Sequence, residues 1–399
     1  MSISLSDRPA VAPSEQRAPA GRRRARLAVL LQLAAGGLAF CLFLEILVTL
    51  VFGEQVKFPR HVVDGGFGLR INEPNARYRH KSRDVEVWFR INGQGLRADR
   101  DFAYPKPPGL LRIVSIGDSF TAGYEVEAED CFNSVMEREL RELGYEVEVL
   151  NAGVSGYGNA EACAYLEREL LKYDPDLVLL SFFNNDLVDN VRSDLYGLED
   201  GLLVARNEAY IPLGGLGDFL NTNPIFNFLS ERSNAFALLK EQATYAVKRK
   251  TVEENVRNME TGPGRADEQK LYQRRLAAAI LDRVHDLCRA AGIPLVIQDI
   301  PLLRPERDGP GTLIDVFPYE EFGLEREGFA FLPATSFLEP HVGQRALYHL
   351  RSHMHWTPLA NRLSGQALAE LIVAQGLLER PRAAQGSEPA PRPRVPPGP

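Results

Sequence analysis

The residues best suited to chemistry stand at the end of an apolar run, Ile113-Val114-Ser115-Ile116-Gly117-Asp118-Ser119. A β-branched run of this kind reads as a buried strand, and Gly-Asp-Ser is a tight turn that throws Ser119 out at its carboxyl end. Sheets of buried parallel strands do their chemistry at those ends. A serine hydroxyl is a weak nucleophile. It needs a base to take its proton, donors to hold the oxyanion, and usually an acid to orient the base. Three later segments offer partners: Asn151 to Gly156, Phe183-Asn184-Asn185-Asp186, and His355-Trp356-Thr357-Pro358.

Groups so far apart in the chain need a rigid frame, and the pattern between them alternates strand and helix. Strands are predicted at Leu111–Ile116, Glu146–Leu150, Asp176–Phe183, Ile293–Ile300 and Phe329–Leu332. Helices are predicted at Asp130–Leu143, Asn159–Tyr173, Asp267–Ala291 and Pro358–Gln375, the first and third closed by Gly144 and Gly292. This alternation implies an α/β domain over 111–379 with a parallel sheet covered on both faces. Residues 187–265, rich in Asn, Gly and Pro, break the rhythm and read as an insertion over the strand ends. A lead-in segment, 53–110, precedes the sheet. There Val85, Val87, Phe89 and Ile91 alternate as a half-buried strand, Gly93-Gln94-Gly95 turns it, and Pro105, Pro107, Pro108 and Gly109 connect onward.

The 399 residues carry a net charge of −7, while residues 1–26 hold six arginines against Asp7 and Glu15, a local +4 that leaves about −11 for the rest. An acidic body of this kind argues against nucleic acid as a partner. The segment 1–26 and the Pro-, Ala- and Arg-rich stretch 380–399 are both expected to be disordered. Leu27 to Phe52 is apolar over a length that crosses a bilayer. Arg22, Arg23, Arg24 and Arg26 stand just before it, which orients the N-terminus to the cytoplasm and the remainder outside, by default the periplasmic side of a bacterial inner membrane. The run ends in Leu50-Val51-Phe52-Gly53-Glu54, a poor cleavage context, so a permanent anchor is expected rather than a signal peptide. Of the cysteines, Cys41 lies in the span. Cys131, Cys163 and Cys288 show no spacing that indicates a disulfide framework or a zinc site.

Taken together, Gly117-Asp118-Ser119, Gly156, Asn185-Asp186 and His355 resemble the four blocks of the SGNH (GDSL-type) hydrolases. The resemblance covers roughly 85–375, and Phe89-Arg90-Ile91-Asn92 with Gly95-Leu96-Arg97 is similar to the membrane-anchored bacterial members. It implies a three-layer sandwich of flavodoxin-like type. It implies Ser119 as nucleophile, His355 as base, and the N–H groups of Ser119 and Gly156 with the Asn185 amide as oxyanion donors. It implies no cofactor and no metal, and a small acyl ester or glycan ester as substrate. The His-Trp-Thr-Pro block also resembles proteins that O-acetylate exported polysaccharides such as alginate. Acyl transfer therefore stands beside hydrolysis, both passing through an acyl-serine.

Singly, each block has a plain reading: Ser119 as a helix cap, Gly156 as a turn, Asn185 as a loop hydrogen-bonder. Jointly the functional reading prevails. Two departures stand out. Phe183 occupies the place of a glycine in the third block, and the positions where an acid precedes the histidine hold His353 and Ser352. Three explanations compete: a Ser119–His355 dyad oriented by His353, Ser352 or a backbone carbonyl; an acid from elsewhere, with Asp299 and Glu339 as candidates; or a fold kept for binding or scaffolding without turnover. The histidines at 341, 349, 353 and 355 raise a metal reading, but no matching carboxylate or thiolate motif accompanies them. Trp356, Tyr157 and Phe183 flank the site residues, where they suit sugar rings and ordinary packing alike.

Overall fold

The computed structural model describes residues 20–379 apart from 60, 213, 258–265, 305, 307–308, 310 and 344–345. The expectation of disorder over 1–26 fails for its last seven residues, which open a helix at Ala20; its first nineteen residues and 380–399 lie outside the described residues. The chain divides into two compact units, Met1–Gly53 and Glu54–Pro399. The first contains one helix, α1 (Ala20–Val51), whose stretch Arg24–Val51 is long and apolar enough to cross a membrane. Its leucines and phenylalanines are exposed all round, as on a helix built to face hydrocarbon.

After a short antiparallel pairing of Val62–Asp64 with Arg70–Asn72, the second unit carries an antiparallel hairpin, β1 (Arg77–Lys81) and β2 (Glu86–Arg90). Then come β3 (Leu111–Ile116), α2 (Phe132–Glu142), β4 (Val147–Asn151), α3 (Asn159–Arg168), β5 (Leu177–Phe183) and α4 (Asp186–Ser193). Helices α5 (Gly214–Thr222), α6 (Pro224–Arg232) and α7 (Asn234–Arg257) follow. The domain closes with α8 (Ala266–Ala291), β6 (Leu295–Ile300), β7 (Phe329–Pro333) and α9 (Pro358–Ala374).

Five strands form one parallel sheet in the order β7-β6-β5-β3-β4. This is the flavodoxin-like order, with the chain reversing its direction of travel across the sheet at β3. The strands are apolar on both faces, as parallel strands covered by helices must be. Val114, Ile116, Val178 and Leu180 pack on one face with residues of α3 and α8. Ile113, Val147, Leu177 and Leu179 pack on the other with α2 and α9. Each such side chain taken from water contributes roughly 1.5–3 kcal/mol. The α/β three-layer sandwich expected from the sequence is the fold observed.

The stretch 187–265 departs from its expectation of few regular elements. It carries most of α4, a short hairpin pairing Tyr196–Glu199 with Leu202–Ala205, and α5 to α7. Much of α7 is exposed on every side, so no apolar stripe marks it as a helix in the sequence.

Candidate active site

Ser119 follows β3 at the point where the strand order reverses, the crevice in which open α/β sheets bind ligands. The turn is tightly built. Asp118 Oδ1 accepts the Phe120 N–H at 2.8 Å, and the Ser119 carbonyl accepts from Tyr124 N–H at 3.0 Å. A Cβ on Gly153 would stand 2.2 Å from the Ala122 nitrogen, so only glycine lets the loop after β4 close on this turn.

His355 Nε2 lies 2.8 Å from Ser119 Oγ, the geometry of a base poised on a nucleophile. His355 comes from the segment before α9, which Thr357 caps by accepting the Ala360 N–H. Its backbone is tied back by His349 N–H donating to the His355 carbonyl at 2.9 Å. Phe120 and Tyr124 flank the imidazole with ring centroids at 4.9 and 5.6 Å.

The other face of the imidazole meets a residue the sequence reading did not single out. Glu125 Oε2 lies 3.3 Å from His355 Nδ1 and accepts the His355 backbone N–H at 3.3 Å. Its Oε1 faces His80 Nε2 at 3.1 Å, accepts the Ser352 hydroxyl, and accepts the His353 N–H at 3.4 Å. The Glu125 side chain is fully buried. Burial alone raises a carboxyl, but the hydrogen bonds of His355 and His80 outweigh it and hold this one well below the usual carboxylate range. Glu125 also has φ +67°, a left-handed backbone that costs a β-carbon-bearing residue about 1–2 kcal/mol. Strain of this kind at a catalytic turn is a frequent sign of function. The carboxylate thus reaches the base from six residues after the nucleophile, not from just before the histidine.

Arg97 holds that turn. Fully inside the protein, it donates to the carbonyls of Ala122 (2.5 Å), Gly123 and Val126 (2.7 Å), with its guanidinium 4.0 Å from the Phe89 ring centroid.

The other sequence candidates fall into place unevenly. Gly156 sits in the loop after β4 with φ +74°, its carbonyl accepting from Arg70 (2.7 Å) and Arg192 (2.5 Å). Asn185 lies at the start of α4, but its amide donates to Asp189 Oδ2 at 3.1 Å, so one of its two N–H groups is already committed. Phe183 packs on Phe120 with centroids 4.6 Å apart, which gives the residue replacing glycine a packing role. Trp356 is buried against Phe120 and Phe132, and Tyr157 donates to the Arg70 carbonyl, so both pack rather than line an open site.

His353 does not take the orienting position put forward for it. The nearest acceptor on His355 Nδ1 is Glu125, and the His353 ring lies edge-on, 6.1 Å from that of His355. Neither Asp299 nor Glu339 fills the place either. Asp299 Oδ1 accepts the Ala334 N–H at 2.8 Å, and burial with Asp315 close by pushes its carboxyl up to about 8, while Glu339 is exposed. Among the described residues the donors close enough to share a cation are His80, Glu125 and His353, whose ligand atoms lie within 4.8 Å of one another, not the four histidines 341 to 355. Ser352 and His80 already occupy Glu125 Oε1, so hydrogen bonds account for this cluster without an ion. All four cysteines are free thiols, Cys131, Cys163 and Cys288 buried and Cys41 exposed.

Glu125 left a faint signal in the sequence. It stands between Tyr124 and Val126, both buried, and an acid between buried apolar neighbours needs an internal partner.

The chain matches the GDSL-like lipase/acylhydrolase family over residues 115–318, just over half its length. It is 35% identical over 75 residues to an arylesterase of Vibrio mimicus, a match covering 19% of this chain and 38% of that protein. Among solved structures it is similar to TesA, at 16% identity and a TM-score of 0.37 over 67% of this chain and 99% of that one. It is also similar to a two-domain esterase active on acetylated mannans, at 12% identity and a TM-score of 0.36 over 71% of this chain and 53% of that one. With the nucleophile turn, the base and the flavodoxin-like sheet in place, the chain belongs to the GDSL-like lipase/acylhydrolase family.

Proposed function

We propose that this protein is a serine esterase of SGNH type that cleaves, or transfers, a small acyl group such as acetyl on an exported or cell-envelope substrate. The observation that carries the reading is the unbroken line Ser119 Oγ–His355 Nε2 and His355 Nδ1–Glu125 Oε2, at 2.8 and 3.3 Å. Ser119 Oγ attacks the ester carbonyl while His355 Nε2 takes its proton, and the Glu125 carboxylate steadies the imidazolium that forms. The N–H groups of Ser119 and Gly156 and the Asn185 amide hold the oxyanion, which appears only in the transition state. His355 then hands its proton to the departing alkoxide and leaves an acyl-serine. Water attacks that acyl-serine in hydrolysis, and a sugar hydroxyl attacks it in transfer, with His355 again as base.

An acid beside the base at Glu125 favours turnover over a binding or scaffold role. Acyl transfer keeps its place through the His355-Trp356-Thr357-Pro358 resemblance. Helix α1 serves as a single-pass anchor with the arginine cluster on the cytoplasmic side and the hydrolase domain outside.

The test uses the full chain in detergent with p-nitrophenyl acetate, an aryl ester in keeping with the short arylesterase match. An initial burst of nitrophenol, absent in Ser119→Ala, supports the acyl-serine. Partitioning toward added glycan hydroxyls separates transfer from hydrolysis. A folded protein with no turnover above the Ser119→Ala variant would overturn the esterase reading.

A further inference from the structure

Glu125 offers the base only one of its two oxygens. The other, Oε1, turns toward the hairpin β1–β2, which lies outside the five-stranded sheet and 45 residues earlier in the chain, and meets His80 Nε2 at 3.1 Å. His80 is fully buried, packed against Phe58 at 4.7 Å and edge-on to Tyr124 and His353. Burial holds its pKa below 6.5, so the ring is neutral and carries a single proton. Among the described residues its Nδ1 has no hydrogen-bond partner. The proton therefore belongs on Nε2, facing the carboxylate.

A packing role alone explains this poorly. The surroundings are aromatic, with Phe58, Tyr78 and Phe89 clustered together, and a phenyl ring would fill the place without leaving a buried nitrogen unpaired. What a phenyl ring could not supply is a donor to Glu125. The same hairpin grips the base as well. Asp84, in its turn, accepts from the backbone N–H and the Nε of Arg351, both at 2.7 Å, four residues before His355.

We propose that His80 is a positioning residue of the Ser119–His355–Glu125 triad: its Nε2–H on Glu125 Oε1 fixes the carboxylate so that Oε2 meets His355 Nδ1, which makes the hairpin part of the catalytic machinery. The inference rests on the acyl-serine reading above. Without that donor the carboxylate can rotate away from His355, and the imidazole loses the tautomer and aim it needs. The other titratable and charged groups around the carboxylate are His349, Arg351 and His353 on the His355 segment, Asp84 on the hairpin, and Arg97 with Glu127 behind the Glu125 turn.

The test compares full-chain His80→Phe and His80→Gln by kcat and KM on p-nitrophenyl acetate, with thermal melts for folding. Phe keeps the ring packing and removes the donor, whereas a Gln amide places an N–H near the position of Nε2. The expected result is a fall of about 10–100-fold in kcat for His80→Phe, the size found when the partner orienting a reacting or ligating group is removed. KM should stay unchanged, while His80→Gln recovers most of the kcat. Should the Phe variant fail to fold, His80→Asn, whose amide cannot reach Oε1, makes the same contrast with Gln. A wild-type kcat in the donor-less variant would overturn the inference. A folded wild-type enzyme with no turnover above Ser119→Ala would overturn the acyl-serine reading, and this inference with it.

Discussion

Replacing Glu125 with Gln keeps the shape of the side chain and removes its charge. Five donors converge on the carboxylate: the backbone N–H and Nδ1 of His355, the His353 N–H, His80 Nε2 and the Ser352 hydroxyl. An amide can accept with only one of its two terminal atoms. With its NH2 toward His355, it drives the imidazole into the tautomer that carries hydrogen on Nε2, which cannot accept the serine proton. With its NH2 toward the hairpin, it opposes His80, Ser352 and the His353 N–H, and the imidazolium still loses its counter-charge. Either arrangement should cost about 10³–10⁴ in kcat, roughly 4–5.5 kcal/mol in the barrier, with KM little changed. Buried donors left unpaired should also cost about 1–3 kcal/mol of stability. The assay is initial-rate hydrolysis of p-nitrophenyl acetate near pH 8, with Ser119→Ala as the floor. A kcat within tenfold of wild type, in a protein whose His355→Ala variant is inactive, would refute Glu125 as the acid. The stability profile gives an independent reading. Because the native carboxyl is held below its ordinary value of 4.5, its contribution is complete above that value and drains away as the pH falls below it. The Gln variant should lack that acid-side loss.

Burial pushes Asp118, next to the nucleophile, up from 3.8 to about 6. Between those values the native state keeps a proton that the unfolded chain releases, so stability falls as pH rises through the window. Asp118→Asn should abolish that fall and gain about 1–3 kcal/mol at pH 8, read from denaturation at pH 4 and pH 8. Arg97→Met should cost about 2–4 kcal/mol in urea unfolding, because the carbonyls of Ala122, Gly123 and Val126 lose their buried donor; kcat should fall as the Glu125 turn loosens. Gly156→Ala forces a β-carbon into the left-handed region at φ +74° and should cost about 1–2 kcal/mol. A larger fall in its kcat/KM than in its thermal stability would show that the loop also serves the oxyanion.

Much of the frame was legible because its signals are local. The β-branched run of β3 and the apolar stretches of β5 and β6 follow directly from burial on both faces. The pairing of Ser119 with His355 was legible from the order of the blocks alone. Glu125 was not, because its role depends on a left-handed turn that bends the chain back from the nucleophile. His80 was equally hidden. Arg77–Lys81 reads Arg-Tyr-Arg-His-Lys, an exposed-looking strand, and only its pairing with Glu86–Arg90 turns Tyr78 and His80 inward. Helix α7 escaped notice because it presents no apolar face to read.

The most direct test of the account is reaction of the full chain with a fluorophosphonate, with the adduct mapped by peptide mass spectrometry. The account expects modification on Ser119, lost in Ser119→Ala and His355→Ala and slowed in Glu125→Gln as in turnover. A folded protein that leaves Ser119 unmodified, or reacts as fast without His355 as with it, would contradict the claim that these three residues form a working triad.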